Sequence, residues 1–152
     1  MLASKIITFL EPVDLDIAEV TLLSTEEYTA NKNVIPLINK WWWLRSPGDD
    51  QHYAVFVYSD GRHIAYFVDN SNCCVRPALR IQNLRSCNLL IGNKFKLAGC
   101  TWTVLKDDLA LCDKEIGRTC FREDIDAEDA NVYEKSDIKK YLEKWAEEVG
   151  IL

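Results

Sequence analysis

The 152-residue sequence contains only two histidines, His52 and His63, and its six cysteines include no C-x-x-C pair. Neither histidine has a ligand-like spacing to a cysteine, so we expect no metal site and no cofactor. No apolar run is long enough to cross a bilayer, which argues against a membrane partner.

The opening residues 1–10 are apolar but lack the basic start and the small-residue cleavage site of a secretory signal. We therefore expect a first strand over Ile6–Leu10 and a cytoplasmic protein. In that compartment the cysteines are expected to remain free thiols: Cys73, Cys74, Cys87, Cys100, Cys112 and Cys120.

Negative charge is concentrated towards the end of the chain. Residues 1–105 carry ten acidic and ten basic side chains, whereas residues 106–152 carry fourteen and eight and so hold the entire net charge of −6. An acidic protein repels phosphates, so direct binding of nucleic acid is not expected. Five acidic residues crowd into one predicted loop: Glu123, Asp124, Asp126, Glu128 and Asp129.

An apolar content of 48% with five tryptophans predicts one domain over residues 1–152 with a substantial core. Its centre is the segment Trp41–Gly48. Side chains alternate along a strand, so Trp41 and Trp43 are predicted to share one face and Trp42 the other, with both faces covered. Pro47 and Gly48 end this strand, because proline lacks a ladder donor and glycine supplies turn freedom.

Local signals predict the remaining elements. Asp60-Gly61 between two β-rich runs, 53–58 and 63–68, predicts a hairpin with a type I′ turn, which requires positive φ at both central residues. Ser24 or Thr25 caps a single helical turn at 25–31, and Ser136 caps a C-terminal helix that ends before Gly150. Further strands are predicted at 75–81, 94–97, 101–105 and 109–111. The helix docks on the sheet through Ile138, Tyr141, Leu142, Trp145 and Val149.

These elements predict an α+β fold, with a twisted, mostly antiparallel sheet and a C-terminal amphipathic helix. Two motifs, Trp42-Trp43-Leu44-Arg45-Ser46-Pro47-Gly48 and Val75-Arg76-Pro77-Ala78-Leu79, resemble an uncharacterised domain family common in Firmicutes and their phages. Members of that family are similar to C-type lectins and, distantly, to formylglycine-generating sulfatase-modifying enzymes. The resemblance implies a C-type-lectin-like fold and a bacterial or phage origin.

The order of the two halves differs from that family. Residues 92–152, with Trp102-Thr103-Val104-Leu105 and the C-terminal helix, resemble a half that usually precedes the tryptophan motif, yet here they follow residues 1–91. The resemblance therefore implies a circular permutation, which domains tolerate when their termini lie close together. No residue matches the reactive cysteines or metal site of the sulfatase-modifying enzymes, or a lectin calcium motif.

Arg45 and Arg76 can be interpreted in two ways. They can line a pocket and bind a carboxylate or phosphate of a ligand. Alternatively, each lies over a tryptophan face and pairs internally with Asp50 or Asp69, which we favour because both arginines belong to the motifs that build the fold. The residues predicted to be structural are Trp42, Trp43, Leu44, Arg45, Pro47, Arg76 and Pro77.

The predicted function is non-catalytic binding of a protein or another ligand through surface loops. One alternative is a phage inhibitor of a host defence system, such as an anti-CRISPR-type protein, that docks loop 123–129 on a basic nucleic-acid-binding groove. Another is an enzyme on a scaffold like that of the sulfatase-modifying enzymes, with Cys73, Cys74, His52 or His63 in its site; the two histidines would approach one another if they were paired across the hairpin. No histidine or lysine lies near the cysteines in sequence to lower their pKa, so buried, inert cysteines are favoured.

Overall fold

The computed structural model describes residues 6–7 and 14–151 and confirms an α+β fold in which most elements are strands. Two sheets of six and five strands form it, and all but two of their strand pairs are antiparallel. In chain order the strands are β1 (Ile6–Ile7), β2 (Ile17–Thr21), β3 (Trp42–Pro47), β4 (Tyr53–Val57), β5 (His63–Phe67), β6 (Cys74–Val75), β7 (Ala78–Ile81), β8 (Lys94–Leu97), β9 (Cys100–Lys106), β10 (Leu109–Cys112) and β11 (Gly117–Arg118). The helices are α1 (Thr25–Asn31) and α2 (Asp137–Glu148).

The six-stranded sheet has the order β1-β8-β9-β10-β7-β2, and the five-stranded sheet has the order β11-β6-β3-β4-β5. Both sheets therefore combine strands from the two halves of the sequence. Of the predicted first strand, Ile6–Ile7 forms β1, and the rest lies outside the described residues.

The tryptophan strand is covered on both faces, as predicted. Trp42 packs with Leu109 and Leu111 of the six-stranded sheet, so it belongs to the core between the two sheets. Trp43 points to the opposite face and contacts Phe121, while its indole nitrogen donates to the carbonyl of Thr119 at 2.9 Å. The strong burial of both indoles gives this strand its central place in the fold.

Helix α2 closes the fold by packing against both sheets. Ser136 caps it as predicted, because its hydroxyl accepts a hydrogen bond from the Lys139 amide at 3.1 Å. Ile138 and Leu142 enter the core on the outer face of the five-stranded sheet, whereas Trp145 packs with the core of the six-stranded sheet. Ala146 also faces inward and is fully buried, a position that the predicted stripe omitted.

The prediction of one continuous strand over 75–81 is wrong. Cys74–Val75 and Ala78–Ile81 belong to different sheets, and the chain crosses between them at Arg76 and Pro77. Proline cannot donate to a ladder, so it interrupts strand pairing at this point. The crossing joins the two sheets through only two residues.

The predicted hairpin is present, but its turn is not type I′. Among the residues of this turn only Gly61 has a positive φ, at 92°, and its amide donates to the Tyr58 carbonyl at 3.0 Å. The Tyr58 amide donates to the Arg62 carbonyl at 2.7 Å, which closes a three-residue loop. This is the hairpin form in which a glycine in the left-handed region forms a bulge after a tight turn.

Candidate functional site

Arg76 is completely buried, and its guanidinium binds other segments of the same chain. Its guanidinium lies 4.7 Å from the centre of the Trp42 ring, as predicted. It donates to the carbonyls of Cys112 at 2.7 Å, Pro36 at 2.8 Å and Asp113 at 3.4 Å. Burial lowers the pKa of Arg76 to about 10. These contacts make Arg76 a link between segments and leave it inaccessible to a ligand.

Arg45 pairs with Glu27 and not with an aspartate. Its Nη1 donates to Glu27 Oε1 at 2.6 Å, and Arg80 Nη2 donates to Glu27 Oε2 at 2.9 Å. Burial alone would raise the pKa of Glu27, but hydrogen bonds from Arg45, the Ser24 amide and Arg80 lower it to about 2. Glu27 therefore holds α1 to a strand of each sheet.

The predicted pairing of Arg45 and Arg76 with Asp50 or Asp69 is wrong. Asp50 instead accepts a hydrogen bond from the backbone amide of His52 at 2.8 Å and contacts its ring nitrogen. Both arginines bind partners much farther away in sequence. The alternation of side chains along a strand does not identify such distant partners.

The candidate enzyme residues do not converge. All six cysteines are free thiols, and burial raises the pKa of the Cys73 thiol to about 12, opposite to activation. His63 lies opposite Val57, whereas the carbonyl of His52 accepts from Val68 at the other end of the hairpin. The predicted approach of the histidines is therefore wrong. Strand β6, which carries Cys74, lies three strand positions from β5, or about 14 Å.

The acidic loop 123–129 is held in place and partly neutralised. Arg122 pairs with Asp129 at 3.2 Å and donates to the Lys135 carbonyl at 2.8 Å. Lys135 and Lys140 line the same shallow depression as Glu123 and Asp124. The loop is therefore less negative than its sequence indicates. Four of its carboxylates form no ion pair with any described residue: Glu123, Asp124, Asp126 and Glu128.

A cluster of exposed aromatic and apolar side chains lies on the five-stranded sheet. Trp41 is 40% exposed, and Ile64 and Tyr66 are each 45% exposed. They surround Phe56, whose ring centre lies 5.5 Å from that of Trp41 and 6.0 Å from that of Tyr66. We define the aromatic face as Trp41, Tyr58, Ile64 and Tyr66.

Strand β5, which carries half of the aromatic face, is an edge strand with an open outer side. In the hairpin, Ile64 and Tyr66 lie opposite Phe56 and Ala54. Backbone hydrogen bonds join residues 58 and 62 at one end of the hairpin and residues 52 and 68 at the other. Because hydrogen-bonded and non-hydrogen-bonded pairs alternate along an antiparallel ladder, the pairs 56/64 and 54/66 are also hydrogen-bonded. The backbone groups that point outward therefore belong to the alternate residues of β5: His63, Ala65 and Phe67.

A groove of about 620 Å³ lies on the opposite face of β5, between this strand and the start of α1. Glu26 and Asp49 stand at its walls, and neither forms an ion pair with any residue in the described part of the chain. A Cβ on Gly48 would lie 2.8 Å from the Cβ atoms of Ala65 and Tyr53. Gly48 is therefore required because Ala65 and Tyr53 approach its backbone closely. The sequence assigned it a role in turn freedom, but its φ is not positive.

Sequence reasoning missed this site, although a signal for it was present. The run His63-Ile64-Ala65-Tyr66-Phe67 places apolar side chains on both faces of a strand. Such a pattern indicates either a strand buried on both faces or an exposed edge, and only the three-dimensional pairing separates these.

The sequence profile of a family described as Domain of unknown function (DUF6273) matches residues 14–83. A domain of unknown function is thus found over the segment that carries both predicted motifs. No curated protein and no solved structure matches the chain. The aromatic face and the groove lie within the matched residues, whereas the acidic loop lies outside them. Among the described residues, no helix is long and apolar enough to span a membrane.

Proposed function

We propose that this chain is a non-catalytic binding protein of bacterial or phage origin that engages a protein partner through the aromatic face. The observation that carries the proposal is the exposure of Trp41, Ile64 and Tyr66 side by side. Contiguous exposed apolar surface marks interaction sites, and tryptophan and tyrosine are enriched among residues that dominate binding energy. A sheet face thus takes the role that the sequence assigned to loops.

We further propose that the scaffold is C-type-lectin-like, in a permuted order. The support is that its two motifs meet: Trp42 is the register partner of Cys74, and Arg76 lies over the Trp42 ring. An enzyme on the same scaffold has less support, because its candidate thiols are buried and its histidines lie at opposite ends of a hairpin.

Replacement of Trp41 and Tyr66 by serine tests the binding proposal. We expect the free energy of unfolding to fall by about 1–3 kcal/mol, because each side chain is more than half buried and packs against Phe56. Binding should fall at least about tenfold, as for two central residues of an interface. The measurement is capture from a bacterial lysate, followed by titration of the purified captured protein.

The matched control replaces Leu90 and Ile91 by serine, since these apolar residues are exposed to 56% and 57% but lie outside the aromatic face. This control should bind as the native chain does. Equal capture by the Trp41 and Tyr66 variant and the native chain would contradict the proposal.

A second candidate is a phage inhibitor that docks loop 123–129 on a basic groove of a nucleic-acid-binding host protein. The observation that favours it is that Arg122 and the packing of Ile125 fix the loop while most of its carboxylates stay unpaired. A preformed acidic surface is electrostatically complementary to such a groove.

This second candidate predicts a strong salt dependence. Asp124→Asn, Asp126→Asn and Glu128→Gln together should weaken partner binding and flatten its dependence on ionic strength. The control neutralises Glu143 and Glu147, which lie on exposed positions of α2. Binding that is insensitive to salt, or equally weakened by the control, would argue against docking through the loop.

A further inference from the structure

We infer that the partner contributes an extended segment that adds to β5 as a sixth strand and carries lysine or arginine at alternate positions. This inference rests on the proposed protein-binding function and specifies the conformation and charge of the bound segment. Its evidence lies in the backbone of β5 and in the groove behind it, and not in the aromatic side chains alone.

The outer side of β5 is suited to strand addition. His63 and Ala65 direct both backbone groups outward, and Phe67 directs its amide there, although the Phe67 carbonyl accepts from Asn70 at 3.2 Å. Natural edge strands are protected from pairing by lysine, proline, bulges or inward-pointing charges. Within β5 none of these occurs, and its register against β4 is regular over all five residues.

An added strand would direct its side chains alternately to the two faces of the sheet. One set would meet Ile64 and Tyr66 on the aromatic face, where apolar side chains bury area. The other set would point towards the groove, where Glu26 and Asp49 lack a cation. Arg62, which directly precedes β5, is already paired with Asp60 at 2.9 Å. The groove therefore favours basic side chains at every second position of the added strand.

The charges argue against a second copy of this chain as the occupant. Antiparallel self-pairing about Ala65 would bring two identical grooves together, each with the unpaired carboxylates of Glu26 and Asp49. Each copy also carries a net charge of −6. Like charges across an interface oppose association, whereas a basic segment of another protein relieves the same charges.

The test uses the full chain and a library of random linear peptides displayed on phage. We expect selected peptides to alternate apolar residues with lysine or arginine. On binding, the outward amides of His63, Ala65 and Phe67 should become protected from hydrogen exchange. The amides of Ile64 and Tyr66, which already bond to β4, should change little.

Two matched comparisons sharpen this test. N-methylation of the peptide at alternate residues should abolish binding in one register and leave it nearly unchanged in the other, because only one set of peptide amides faces β5. Glu26→Gln with Asp49→Asn should weaken binding about tenfold, whereas Glu143→Gln with Glu147→Gln, on exposed positions of α2, should not.

Several results would overturn the inference. These are selection of no peptide, protection without alternation, equal effects of the two N-methylation patterns, and self-association of the chain through the same amides. If serine at Trp41 and Tyr66 abolishes capture while no alternating protection is found, the binding function stands and the strand inference fails. If capture survives those replacements, the proposed function itself fails.

Discussion

Replacing Arg76 by alanine is expected to lower the free energy of unfolding by about 3–5 kcal/mol. The change removes a stacked guanidinium from the Trp42 ring and leaves a cavity in its place. It also removes the donor to three carbonyls, the buried one of Cys112 and the partly buried ones of Pro36 and Asp113. Urea denaturation followed by tryptophan fluorescence measures the loss.

Arg76→Lys is the matched control, because it keeps the charge but not the planar fork. One ammonium cannot stack on Trp42 and reach the Cys112 and Pro36 carbonyls in the geometry of a guanidinium, so we expect an intermediate loss of about 1–3 kcal/mol. An alanine variant within about 1 kcal/mol of the native chain would contradict the structural role of Arg76.

Replacing Glu27 by glutamine is expected to lower the free energy of unfolding by about 1–3 kcal/mol at neutral pH, because solvent screens part of the interaction that shifts its pKa. The pKa of Glu27 falls from 4.5 to about 2 in the folded chain, so its ionised form stabilises the fold fully above pH 4.5. That contribution is lost as the pH falls from 4.5 to 2. The stability curves of the two proteins should therefore differ at neutral pH and converge near pH 2, as measured by urea denaturation at each pH.

Glu26→Gln provides the comparison on the same helix. Glu26 is exposed and forms no ion pair with a described residue, so its replacement should leave the stability curve within about 0.5 kcal/mol of the native one. A constant offset between the native and Glu27→Gln curves over the whole acid range would show that Glu27 acts by packing and not through its charge.

The elements that sequence reasoning predicted correctly depend on short-range chemistry. Ser24 and Glu27 form the two reciprocal hydrogen bonds of a capping box, and Ser136 caps α2. Alternation alone separates Trp42 from Trp43. The Asp60-Gly61 pair correctly indicated a hairpin, although a third loop residue changed its turn.

The errors arise where distant segments compete for one side chain. Asp50 lies only five positions from Arg45 in sequence. Arg45 nevertheless pairs with Glu27, 18 positions away, because α1 packs against β3. Arg45 and Arg76 thus each follow an apolar segment and lie close to a proline, but they bind different partners. Sheet membership at Arg76-Pro77 is likewise decided by strands β3 and β10, which no local pattern near residue 76 identifies.

The candidate site was the least predictable part because exposure is a property of the whole fold. Trp41 and Trp43 share a face and both contact Phe56, yet Trp43 is fully buried beneath Phe121 while Trp41 remains 40% exposed. The acidic loop drew attention in the sequence, but Arg122, Lys135 and Lys140 gather around it only after folding.

The two-residue crossing at Arg76 and Pro77 has a consequence for how the molecule loses its structure. Strands β6 and β7 are held in separate sheets by a connection too short to stretch, so neither sheet can separate far from the other without breaking its own ladder. The guanidinium at this junction also ties three other segments to it. Melting should consequently proceed as one cooperative transition, with no stage at which one sheet survives alone.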